Sequence, residues 1–147
     1  FKEALEPSFK TYAQNIKKNA KVLERILGGD MRLMFGGTDN HLLLIDVTPL
    51  GLSGGQAEKL LDSVGITLNK NMIPDDQRKP MDPSGIRLGT PALTTRGFTE
   101  SDMEIVGRTI LDVLKNPNDS GVQDKARTTV KELTAAHPLY PNLSYLS

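Results

Sequence analysis

The chain has 147 residues, 18 Lys plus Arg against 18 Asp plus Glu, 37% hydrophobic residues and no Cys. That is the size of one ordinary domain with enough apolar content for a core. The balanced charge excludes a global field for nucleic acid or an anionic membrane. The missing cysteines exclude disulfides, thiolate catalysis and Cys-ligated zinc, and fit a reducing, cytoplasmic setting. The longest apolar run, Leu42 to Ile45, is far too short to span a bilayer as a helix.

In chain order, Phe1, Ala4 and Leu5 share one helical face, and Pro7 suits the first turn of a new helix. Residues 1–6 are therefore expected to end a helix entering from a preceding domain, with residues 7–147 forming one small domain. From Pro7 to Leu27 the apolar stripe Phe9, Ala13, Ile16, Ala20, Leu23 and Leu27 predicts an amphipathic helix that Gly28-Gly29 ends. Met31 to Phe35 and His41 to Val47 read as strands joined by a hairpin-type connection, Gly36 to Asn40. Ser53 and Gln56 form a capping box that opens a short helix with Ala57, Leu60, Leu61 and Val64 inward. Gly65 closes that helix, and Ile66 to Asn69 reads as a third strand.

Lys70 to Ser84, holding Pro74, Pro80 and Pro83, is irregular and long enough to suggest a functional loop. Gly85 to Gly89 is a fourth short strand, and Thr90 to Gly97 reads as irregular again. Thr99 caps a helix with Met103, Val106, Ile110, Val113 and Leu114 inward; a last helix after Asn116-Pro117 turns Val122, Ala126, Val130 and Leu133 inward. The tail from His137 to Ser147 is expected to lie along another surface. Together these elements predict an α+β domain, a small, mainly antiparallel sheet with helices on one face.

Few residues offer chemistry. His41 and His137 lie far apart, which argues against a metal cage. His41, flanked by Asp39 and Asn40, could belong to a hydrolytic triad, but no Ser stands in a nucleophile-elbow context; a hydrogen-bonded residue at a strand start is the plainer reading. Asp75-Asp76 could pair as acid and base or simply sit in a solvated turn. Arg87 is different, because alternation turns Ile86 and Leu88 to one side and Arg87 to the other. If that side is covered, the guanidinium needs a carboxylate or phosphate partner; if it is wet, Arg87 is a charged edge.

Four segments carry a family resemblance. Gly85-Ile86-Arg87-Leu88-Gly89-Thr90-Pro91-Ala92-Leu93-Thr94-Thr95-Arg96-Gly97-Phe98 resembles the signature of serine hydroxymethyltransferases. Phe9-Lys10-Thr11-Tyr12, Gly36-Gly37-Thr38-Asp39-Asn40-His41 and Asn69-Lys70-Asn71 with Pro74 match in the same order. The resemblance implies the C-terminal small domain of an aminotransferase-like (fold type I) pyridoxal 5'-phosphate enzyme. That enzyme moves the hydroxymethyl carbon between serine and tetrahydrofolate, leaving glycine. Its large domain carries the cofactor and the Schiff-base lysine in a Thr-His-Lys segment that this sequence lacks, so the domain alone is expected to be inactive.

By the same resemblance Arg87 binds the substrate α-carboxylate, Asn71 hydrogen-bonds the folate pteridine ring, and Pro80 and Met81 lie in the folate-lining stretch. There Lys79-Pro80-Met81 replaces a common Ser-Pro-Phe, with Lys79 the departure. Thr94, Thr95 and Arg96 match the motif and are expected to shape the pocket wall. A dimer or tetramer is implied for the full enzyme, with much of the subunit contact outside this chain. The alternative from another class is a standalone, non-catalytic module that reuses the domain.

Overall fold

The computed structural model describes residues 1–140. Helix α1 spans Pro7–Leu27, β1 Arg32–Leu33, β2 Leu42–Asp46, α2 Gly54–Asp62, β3 Asn69–Asn71, β4 Gly85–Gly89, α3 Pro91–Thr95, α4 Glu100–Lys115 and α5 Ser120–Ala136. The four strands form one antiparallel open sheet in the order β1-β2-β4-β3. The α+β expectation holds. Among the described residues no helix is long and apolar enough to cross a membrane.

The sheet has two unlike faces because its central strands alternate. Leu43, Ile45, Ile86 and Leu88 point into the core, where they meet Leu23 and Leu27 of α1, Leu61 of α2, and Met103, Ile110 and Leu114 of α4. On the other face Leu42 and Leu44 are half-buried and Arg87 is exposed. Helix α4 approaches α1 closely at Gly107, where a Cβ would lie 3.2 Å from the Ile26 side chain.

Helix ends follow local chemistry. Pro7 stands at the start of α1, as its missing amide donor allows. The Ser53–Gln56 capping box opens α2, and Thr99 with Asp102 forms a second box at α4. Asp119 opens α5 by accepting from the amides of Gly121 and Val122.

Four expectations need correction. The first strand is only Arg32–Leu33, since the chain turns at Met34–Gly36 with Phe35 at φ 59°. The third strand lies at Asn69–Asn71 rather than Ile66–Asn69. There Ile66 donates to the Leu61 carbonyl, closing α2, and Leu68 dives into the core. Pairing begins only where Asn69 meets Arg87. The stretch after β4 is not irregular: Thr90 and Pro91 open the short helix α3. Finally, the α1 stripe is buried only in its second half, at Ala20, Leu23 and Leu27, while Phe9 is 41% exposed.

Residues 3–5 make a single 3₁₀ turn, with Phe1 and Leu5 exposed. The tail expectation for residues 141–147 lies outside the described residues.

Candidate functional site

Arg87 sits at the middle of β4, an inner strand paired on both sides, so its backbone is fixed by two ladders. It faces Leu44 across β2 and Asn69 across β3. Of the two readings, the face is wet, yet it is not flat. Arg87 lines a concavity of about 650 Å³ together with Asn71, Leu42, Leu44, Lys21 and the loop Met34 to Asn40. Among the described residues the guanidinium has neither an ion-pair partner nor a hydrogen bond. A planar fork of donors therefore stands unspent over half-buried leucines, an arrangement suited to gripping a carboxylate or phosphate.

The register explains why Asn71 joins it. Asn71 pairs with Gly85 and Asn69 with Arg87, so both asparagines share the Arg87 face. The Asn71 amide nitrogen donates to the Met72 carbonyl at 2.6 Å, which orients the side chain. Pro80 and Met81 do not line this concavity. They are exposed on the turn beyond β3, Met81 by 81%.

The opposite wall is built by Met34 to Asn40, which joins the end of the expected first strand to the hairpin connection that also carries one of the family-like segments. Phe35, Gly36 and Gly37 all have positive φ (59°, 75° and 137°). Glu24 of α1 holds that loop: its carboxylate accepts from the Thr38 amide at 2.9 Å and pairs with Lys21 at 2.9 Å. At φ 137° the Gly37 backbone takes a conformation that L side chains rarely adopt, so glycine suits this position, where a Cβ would also press on the movable Glu24 carboxylate at 2.7 Å. Burial works to raise the Glu24 pKa, but the Lys21 contact and the Thr38 amide outweigh it and lower the value. The loop leaves Phe35 84% exposed at the lip of the concavity. The double glycine was the available signal; nothing local pointed to Glu24 or to a left-handed Phe.

Asp75 and Asp76 are not an acid–base pair. Asp75 is an exposed turn residue at φ 55°. Asp76 accepts from the Ser84 hydroxyl at 2.6 Å and from the amides of Ser84, Arg78 and Ile73. Burial would raise its pKa, yet these donors, Ser84 foremost, bring it down to about 2.

The remaining motif residues are placed away from the Arg87 concavity. Thr94 is buried, donating to Thr90 and accepting from Asn19 of α1 at 2.9 Å. Thr95 donates to the Pro91 carbonyl, and its hydroxyl lies 2.8 Å from the Tyr12 hydroxyl. Arg96 donates to the carbonyls of His137 and Thr134 at the end of α5. These residues join α3 to α1 and α5 instead of lining a wall beside Arg87.

The two histidines stay apart. His41 is exposed, whereas His137 lies 3.3 Å from Asp102 with its ring against Phe98. Among the described residues no group of three or more His, Cys, Asp or Glu could hold a metal.

A helix-backed open sheet, with an unspent arginine standing on its bare face, defines a small α+β domain. The family model for serine hydroxymethyltransferase matches residues 1–110 of the 147, and the chain belongs to that family. Its lineage is thus that of pyridoxal-phosphate-dependent transferases. The residues lining the Arg87 concavity do not themselves fit that cofactor. A Schiff base needs a lysine amine free and aimed into an enclosed site. Lys21, the lysine that lines the concavity, is half exposed and tied to Glu24.

Proposed function

We propose that this chain is the C-terminal small domain of a serine hydroxymethyltransferase, with residues 1–6 leading in from a cofactor-bearing domain and residues 7–147 forming the small domain. The enzyme interconverts serine and glycine with tetrahydrofolate as the one-carbon acceptor. Arg87 clamps the α-carboxylate of serine or glycine, and Asn71 offers a donor and an acceptor to the edge of the folate ring. Pro80 and Met81 supply apolar contact to that ring from the adjoining turn. Pyridoxal phosphate, when bound to the other domain, supplies the electron sink for cleaving the carbon–carbon bond of serine. A two-point hold on the carboxylate by Arg87 would fix the orientation of the amino acid, so positioning becomes rate.

The observation that carries the reading is the unpartnered Arg87 guanidinium sharing one concavity with Asn71. The purified 147-residue chain, mixed with pyridoxal phosphate and reduced with borohydride, is expected to show no catalytically competent lysine adduct and no serine turnover. Turnover by this chain alone would overturn the assignment of the chemistry to another domain.

A further inference from the structure

The segment that leaves β3 and returns as β4 has its two ends joined through one carboxylate. Asp76 Oδ2 accepts from the amides of Ile73 at 3.3 Å and Ser84 at 2.9 Å. Its Oδ1 accepts from the Arg78 amide at 2.9 Å and from the Ser84 hydroxyl at 2.6 Å. An ionised carboxylate offers about four acceptor sites and no donor, and here all are used. Ile73 follows closely on Asn71, and Ser84 stands just ahead of Gly85, Ile86 and Arg87.

The anchoring continues along the segment from Asp76. The Arg78 side chain donates to the Asp82 carbonyl at 3.0 Å and pairs with the Asp82 carboxylate. The Asp82 amide donates to the Lys79 carbonyl at 2.9 Å, and Lys70 Nζ to the Met81 carbonyl at 3.0 Å. All of these bonds are made by groups of β3 and of the segment itself, and Met72 and Met81 remain exposed. A compact loop closed by its own side chains is common at functional sites.

We infer that Asp76 is a positioning residue, which touches no ligand but holds the 72–84 segment in the shape that receives the folate ring. This rests on the reading of Asn71, Pro80 and Met81 given above. A surface already built spares the ordering cost that a loose loop would impose on each binding event. With its pKa near 2, Asp76 is ionised throughout the neutral range, so the anchor is permanent there.

The test uses the full-length enzyme carrying Asp76→Ala, Asp76→Asn or Asn71→Ala, with steady-state kinetics and amide hydrogen exchange. Asp76→Ala is expected to raise the tetrahydrofolate KM about tenfold, with Asp76→Asn in between. The serine KM and the kcat at saturating folate should stay within about twofold, a split that general destabilisation would not give. Exchange at the amides of Ile73, Arg78 and Ser84 should quicken in both Asp76 variants.

An unchanged tetrahydrofolate KM in a folded variant with quickened exchange overturns the inference, and so does an equal rise in both KM values. If Asp76→Ala does not fold, Asp76→Asn decides by the same criteria. Asn71→Ala separates the two levels. If it weakens folate while the Asp76 variants do not, positioning alone fails; if it leaves folate untouched, the underlying reading fails and takes the inference with it.

Discussion

At position 87 the side chain's value lies in its geometry more than its charge. The guanidinium offers two parallel donors to one carboxylate, whereas a lysine offers a point charge. In the full-length enzyme Arg87→Ala is expected to weaken serine binding by about 1.5–3 kcal/mol, with Arg87→Lys recovering only part of that. Calorimetric titration with serine measures it, and an unaltered affinity in a folded variant would assign the carboxylate to another residue. Asn71→Ala should weaken the folate co-substrate and spare serine. Alternation in Gly85–Gly89 was enough to put Arg87 opposite Ile86 and Leu88. It could not say which side the helices would cover, because that depends on contacts far along the chain. Glu24 was equally illegible, since its partner is the backbone of Thr38 and no residue pattern marks it.

Among the elements, those written in local chemistry were legible. The boxes at Ser53 and Thr99 and the proline at the head of α1 set helix starts through bonds made within one turn. Thr99→Ala should cost about 1 kcal/mol in urea unfolding; no loss would mean that Asp102 caps α4 unaided. The third strand was misplaced because Ile66 and Leu68 have the β-forming character, while pairing depends on what lies opposite β4. The loop between those strands carries its own pH signature. The Asp76 pKa is depressed from 3.8 to about 2, so the stabilisation is full above the unfolded value and is lost as pH falls toward the folded one. Solvent screening limits it to roughly 1–2 kcal/mol. The stability gap between the natural chain and Asp76→Asn, measured by urea melts, should therefore be wide at about pH 5 and narrow at about pH 2.5. A gap unchanged between the two would contradict this.

Among the described residues one core is shared between the inner sheet face and four helices, α1, α2, α4 and α5, and tolerances are narrow where backbones meet. Gly54, at the start of α2, donates to the Pro83 carbonyl at 2.7 Å, and a Cβ there would lie 2.1 Å from the Gly85 carbonyl oxygen. Neither backbone can yield without moving β4. Gly54→Ala should therefore cost about 1–3 kcal/mol or more and disturb the Arg87 strand; thermal melting and serine titration together would reveal an unaffected protein if this is wrong.

Arg96, the last charged residue of the signature motif, has its guanidinium on the terminal carbonyls of α5, a helix that begins ten residues past the end of the family match. Trimming the gene to the matched stretch would cut α4 within its length, remove Val113 and Leu114, both at 0% exposure, from the interior, and strip Arg96 of its acceptors. The boundary that homology draws at residue 110 is thus not a place where the polypeptide can be severed. Any excised version meant for biophysics has to extend through His137.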